Sequence, residues 1–304
     1  MFELLGITPQ ALYGQLLIGL INGSFYAVLS LGLAVIFGML NIINFSHGAQ
    51  YMMGAFIAWL GLTQVGPWIG NPEFHLNYWA ALVIAPLLVG AFGMIIERTM
   101  LARLYRLDHL YGLLLTFGIA LIIEGLFRYA YGVSGQQYEI PEVFQGAFDL
   151  GFMHLPKYRA WVICASLTVC FATWYVIERT KLGSYLRAGT ENPRLTQAFG
   201  VNVPLMITLT YGFGVALAAF AGVLAAPIFT VSPLMGADLI IVVFAVVVIG
   251  GMGSILGSIV TGLGLGLIQG LTKVFYPEAS AVVIFVIMVI VLLVRPAGLF
   301  GREK

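Results

Sequence analysis

The chain has 304 residues, of which 61% are hydrophobic and 9% charged, with a formal net charge of +1. A mean hydropathy of +1.00 excludes an ordinary soluble domain, and the near-neutral charge gives no case for nucleic acid or an anionic surface as partner. Apolar stretches near 20 residues recur, each long enough to cross a hydrocarbon core of about 30 Å. The alternating segments of about ten residues that build a membrane β-barrel do not occur. The expected fold is therefore an all-α polytopic integral membrane protein, a bundle of roughly eight or nine transmembrane helices forming a single domain over residues 1–304. Cys164 and Cys170 fall on different faces of one predicted helix, so no disulfide is expected between them. No basic segment with a small-residue cleavage site precedes the first apolar run, which is expected to remain as a helix.

The first predicted helix covers residues 12–40 and contains Asn22, Gly23 and Ser24. It ends in a polar knot without charge, running Asn41-Ile42-Ile43-Asn44-Phe45-Ser46-His47-Gly48. Helices are predicted next over 49–65, 78–100 and 111–131, with Glu97, Arg98, Arg103 and Arg106 at the turn between the last two. Residues 132–159 read as a large hydrophilic loop. A helix over 160–177 leads into a polar interruption at 178–204, followed by a helix over 205–229 and a shorter apolar run over 239–249. Gly250-Gly251-Met252-Gly253-Ser254 closes that run, and helices over 255–272 and 281–294 precede the tail. Two stripes of small residues have helical spacing: Ser258, Gly262, Gly266 and Gly270, and Gly214, Ala218, Gly222 and Ala226. In lipid such stripes let helix backbones approach closely, so both are expected to be packing seams, within the chain or with a partner.

Lys and Arg in short loops set orientation. Arg98, Arg103, Arg106, Arg179, Lys181, Arg187, Arg194, Arg295, Arg302 and Lys304 fall on one side, and Arg128, Lys157, Arg159 and Lys273 on or near the other. The bias places the 98–109 turn, the 178–204 loop and the C-terminus in the cytoplasm, and the 132–159 loop outside.

Within the 178–204 loop, Asn192-Pro193 reads as a helix start, Asn as the cap and Pro at the first helical position. Gly200 reads as the stop, because glycine takes the left-handed conformation without strain. The helix between them is about two turns, with Leu195, Ala198 and Phe199 on one face. A helix so short is marginal alone. Either it packs on its own membrane domain or it presents Phe199 to another protein.

Gly251, Gly253 and Gly257 imitate a dinucleotide fingerprint but lack the βαβ setting, and read as a helix break. No P-loop signature occurs, the four histidines have no metal-ligand spacing, and no nucleophile–base grouping supports an enzyme. Polar residues within predicted spans are the other place to look. Glu124 and Arg128 stand four apart, in the order that favours a mutual ion pair, with a substrate contact as the alternative. Asn22, Asn41, Asn44 and His47 fit either broken helices lining a cavity or interhelical hydrogen bonds. Glu97, Asp238 and Lys273 sit at predicted ends, where reaching to water is the simpler expectation.

Six segments taken in order, NGSFYA at 22–27, NFSHG at 44–48, IER at 96–98, LLLTFG at 113–118, GGMGS at 250–254 and RPAGLFG at 295–301, resemble one family over nearly the whole chain. It is the branched-chain amino-acid ABC importer permeases, in particular the smaller of the two permease subunits. The resemblance implies a membrane subunit forming half of a translocation pathway in a bacterial inner membrane. It implies a second, related permease, two cytoplasmic ATPase subunits that carry ATP and Mg, and an extracytoplasmic solute-binding protein, with no cofactor in this chain. The 187–200 segment occupies the place of the cytoplasmic coupling loop, whose hallmark Glu-Ala-Ala run is degenerate here as Arg187-Ala188-Gly189-Thr190-Glu191-Asn192. Coupling residues implied are Arg187, Glu191, Asn192, Arg194, Leu195, Ala198, Phe199 and Gly200, with Asn22, Ser24, Asn41, Asn44, His47 and Glu124 along the path. Members of the family also move urea, short amides and aromatic acids. The competing class is a self-contained secondary transporter or channel, for which Glu124 would be the ion-coupling group.

Overall fold

A computed structural model describes residues 8–40, 42–71, 75–105, 107–151 and 153–301, without the side chain of Met39. The elements in order are α1 (Pro9–Leu40), α2 (His47–Thr63), α3 (Val65–Trp68), α4 (Tyr78–Thr99), α5 (His109–Tyr131), β1 (Ala147–Asp149), β2 (His154–Pro156) and α6 (Lys157–Arg179). Then come α7 (Lys181–Glu191), α8 (Pro193–Ala198), α9 (Val203–Ala225), α10 (Met235–Gly250), α11 (Ile255–Phe275) and α12 (Val283–Val294). The fold is that of an all-α polytopic membrane protein. Among the described residues, α1, α4, α5, α6, α9 and α11 are long and apolar enough to span a bilayer, and α10 and α12 are shorter apolar helices. The 132–159 loop is more ordered than expected: β1 and β2 pair antiparallel, Phe148 opposite Leu155, and Phe144 stacks on Trp161 at 5.2 Å.

The chain divides into two compact units. The first comprises Met1–Ser30, Ile140–Phe171 and Val242–Lys304. Its seam is the small-residue stripe of α11 laid on α1. A Cβ at Gly266 would overlap the backbone of Gly23 and Gly19, one at Gly262 would meet Ala27, and one at Gly270 would meet Gln15. Beside them the Ser30 hydroxyl donates to the Ser258 carbonyl at 3.2 Å. The two glycine motifs near the C-terminus also interlock. Gly251 and Gly298 have φ of +98° and +82°, a region L-residues rarely enter, and a Cβ on either would strike the other's segment. The Leu299 and Phe300 amides then donate to the Ile249 and Gly250 carbonyls at 2.8 and 3.1 Å, satisfying two acceptors that the end of α10 leaves open.

The second unit comprises Leu31–Glu139 and Ala172–Ile241, with α9 packed against α2 and α4. Its small residues make the contact: Gly222 meets the backbone of Tyr51 and Ala55, Gly54 meets Ala219, and Gly90 meets Gly212. Gly214 of the second sequence stripe packs on Gly32 and Ile36 of α1. Both stripes thus serve contacts inside the chain.

If the α11 seam needs backbone contact, Gly266→Leu destabilises by more than about 3 kcal/mol, since a side chain must displace main chain. Gly264, where an added Cβ meets nothing within 4 Å, tolerates the same change. Size-exclusion profiles in mild detergent check this: monodisperse for Gly264→Leu, lost for Gly266→Leu.

Candidate functional site

The 178–204 loop folds as two helices rather than one. α7 was not expected, although Leu182, Tyr185 and Leu186 stand at helical spacing and the segment is strongly amphipathic; its two glycines and its charges read as loop. Gly183 lets it turn back tightly, since a Cβ there would overlap the Ile177 carbonyl at the end of α6. Arg187 on α7 holds Glu178 at 3.3 Å, an ion pair half-exposed at both ends and so worth little to stability. The degenerate run Arg187 to Glu191 forms the second half of α7. α8 begins with the Asn192 carboxamide oxygen accepting the Leu195 amide at 3.0 Å and Pro193 in the first turn. It ends at Gly200, φ +84°, where the Gly200 amide reaches the Gln197 carbonyl at 2.9 Å and the Val201 amide reaches Thr196.

The side of α8 that faces the protein is Thr196, 7% exposed and bonded to the Asn192 carbonyl. Its apolar residues face away. Leu195 is 54% exposed, Phe199 is 81% exposed, and Ala198 and Arg194 are exposed as well. On α7, Leu182 and Tyr185 are exposed too. Large apolar groups displayed on a well-capped element beside charged ones are an arrangement that marks an interaction surface.

The polar residues of the membrane region are placed very differently. Asn41 lies outside the described residues. Asn44, fully buried, ties the turn between α1 and α2: its oxygen accepts the Ser46 amide at 3.1 Å and hydroxyl at 2.6 Å, and its nitrogen donates to Gln50 at 3.1 Å. Gln50 in turn donates to the Ser46 hydroxyl. Thr116 of α5 secures the same turn, accepting the Phe45 amide and donating to the Ile43 carbonyl, each at 3.2 Å. His47 is fully buried with its ring against Gly32. Ser24 is buried and donates to the Leu20 carbonyl of its own helix at 2.8 Å. Asn22 and Glu124 are only half-buried. The expected Glu124–Arg128 pair is not formed: among the described residues, the ion pairs within 4.0 Å are Arg187–Glu178 and Asp149–His154. Arg128, and after it Asp238 at the start of α10, still act on the Glu124 charge through space.

Glu97 corrects another expectation. It does not reach to water but is 2% exposed, with Thr208 of α9 donating to one carboxyl oxygen at 2.6 Å and the Tyr105 phenol donating to the other at 2.5 Å. Burial, followed by the adjoining carboxylate, pushes the Tyr105 phenol above its ordinary value, so it remains a donor. Position at a helix end carries no signal for this; only the packing of α9 over α4 encloses the group.

Residues 15–292 match the family described as branched-chain amino acid transport system / permease component. The chain belongs to that family. It is 31% identical to the high-affinity branched-chain amino acid transport system permease protein BraD of Pseudomonas aeruginosa, over 95% of this chain and 96% of that protein. The corresponding permease LivH of Escherichia coli is 28% identical over 98% of this chain and 99% of its own length. The permease protein LivM of Escherichia coli is also similar, 28% identical over 92% of this chain and 68% of that protein. The chain is accordingly an integral membrane permease component.

Two substitutions separate the loop from the buried turn. Asn192→Ala removes the α8 cap at a cost of about 1 kcal/mol to that helix, read as faster amide exchange over 193–200 with the global melting temperature unchanged. Asn44→Ala strands the Ser46 and Gln50 groups and costs about 1–3 kcal/mol globally, read as a lower melting temperature in detergent.

Proposed function

We propose that this chain is one of two permease subunits of an ATP-binding-cassette importer for branched-chain or related amino acids, and that α8 is the element through which an ATPase subunit moves it. The carrying observation is the exposure of Leu195, Ala198 and Phe199 on a helix capped at both ends. A side chain as large and apolar as Phe199, 81% exposed in a loop, is stabilised when seated in an apolar cleft of a partner, with Arg187 and Arg194 at the polar rim. Glu191 and Asn192 shape the entry to the helix and Gly200 its exit. Membership of a family of transport-system components supports partners of matching kind: a second, related permease, two ATPase subunits and an extracytoplasmic solute-binding protein. ATP and Mg bind on the ATPases, where hydrolysis occurs; this chain has no P-loop signature of its own.

The Lys and Arg bias supports a bacterial inner-membrane orientation with the 178–204 loop and the C-terminus cytoplasmic. Of the residues weighed for the path, Asn22 and Glu124 keep exposed surface for substrate, each within its own unit, whereas Ser24, Asn44 and His47 are enclosed. Glu124 makes no contact ion pair with Arg128, which acts on it through space, so its carboxylate keeps surface on which a substrate ammonium group can be met. Charge reversal tests that role: the double exchange Glu124→Arg with Arg128→Glu is expected to fail to restore uptake lost in either single variant.

The docking role is tested by purification from the native host in mild detergent. The wild-type chain is expected to bring down a P-loop ATPase and a second permease. Phe199→Asp is expected to keep the second permease and to reduce ATPase recovery and uptake by about tenfold or more, as loss of a central anchor does. Normal uptake by that variant would refute the docking reading. Uptake trials with leucine, isoleucine, valine, urea, short amides and aromatic acids then decide the substrate.

A further inference from the structure

α4 and α9 touch at glycines: Gly90 meets Gly212 and Ala216, Gly93 takes the Val215 side chain, and Gly212 takes that of Met94. Contacts of this kind are dispersive and steric and carry no hydrogen bond between the two helices. One turn past Gly93 on α4, and one turn before Gly212 on α9, the chemistry changes to the buried Glu97 carboxylate and the Thr208 hydroxyl at 2.6 Å. The second carboxyl oxygen is taken by Tyr105 from the turn between α4 and α5. Each of the two carboxyl oxygens thus meets one hydroxyl donor, one from α9 and one from the turn after α4. These bonds are directional, and a slip of α9 by one residue, about 1.5 Å, would break the Thr208 contact.

The clasp stands where force would enter. α8 ends at Ala198, α9 begins at Val203 under the cap of Asn202, and Thr208 is in the second turn of α9. We infer that Glu97 is a positioning residue that locks α4 and the α4–α5 turn to α9, so that displacement of α8 is carried into the membrane by both helices together. Without the clasp the two helices are joined by packing alone, and part of each displacement is lost before it reaches α4. The inference rests on the reading of α8 as the ATPase-driven element, and it adds a residue outside the loop to that machinery.

The test uses the assembled complex in proteoliposomes and measures substrate taken up per ATP hydrolysed. Thr208→Val keeps side-chain shape and removes the donor. It is expected to assemble with its ATPase and to hydrolyse ATP, while uptake per ATP falls about tenfold, the factor that loss of one hydrogen bond to a charged group represents. Thr208→Ser, which retains the hydroxyl, is expected to restore the ratio. Tyr105→Phe, which removes the other bond outside α9, is expected to lower it in the same direction, and serves in place of Thr208→Val should that variant not assemble. A merely structural role would alter yield and leave the ratio unchanged. An unchanged ratio in an assembled variant overturns the inference, as does failure of Thr208→Ser to restore it. A wild-type chain that recovers no ATPase at all would instead sink the importer reading, and the clasp with it.

Discussion

The approach of helix backbones at glycine is the constraint from which the rest of this structure follows. In lipid, apolar side chains gain little by leaving the bilayer for another helix, so association depends on close dispersion contacts and internal hydrogen bonds. Where α11 meets α1, and where α9 meets α2 and α4, the side chain is reduced to hydrogen and main chain lies on main chain. The same device operates at the end of α10, where Gly251 and Gly298 pass so closely that the C-terminal segment can satisfy the last carbonyls of the helix. A single Cβ at these places demands movement of backbone.

Close packing also decides the fate of the polar residues. A group enclosed by such helices has no water to turn to and must find its partners in the protein. Asn44, Ser46 and Gln50 form one closed set around a turn that would otherwise leave buried donors and acceptors open. Glu97 forms another with Thr208 and Tyr105. Polar residues in a membrane span invite a reading as a pathway, yet several here are parts of the frame. Glu124 differs, being half-exposed and outside any ion pair among the described residues.

The 178–204 loop shows the opposite economy. Its polar atoms are engaged in caps and turns, and its apolar groups are left uncovered. The docking role proposed for α8 would give that exposure a purpose.

Much of this was legible in the sequence because it depends on local chemistry. Span lengths follow from the apolar runs, the ends of α8 from Asn192, Pro193 and Gly200, and the close seams from glycine at helical spacing; the family follows from motifs recognised in order. α7 has a clear amphipathic pattern, but its two glycines and low overall hydrophobicity also fit a polar loop, and the close turn of Gly183 on Ile177 is set only by packing. Burial of Glu97 and the lack of a contact ion pair between Glu124 and Arg128 were not legible either. Both depend on which helix lies alongside, and on how side chains are directed once it does. Sequence spacing reports which residues share a helix face. Tertiary packing decides whether that face meets lipid, water or another helix, and therefore whether a polar group there braces the fold or is left to act.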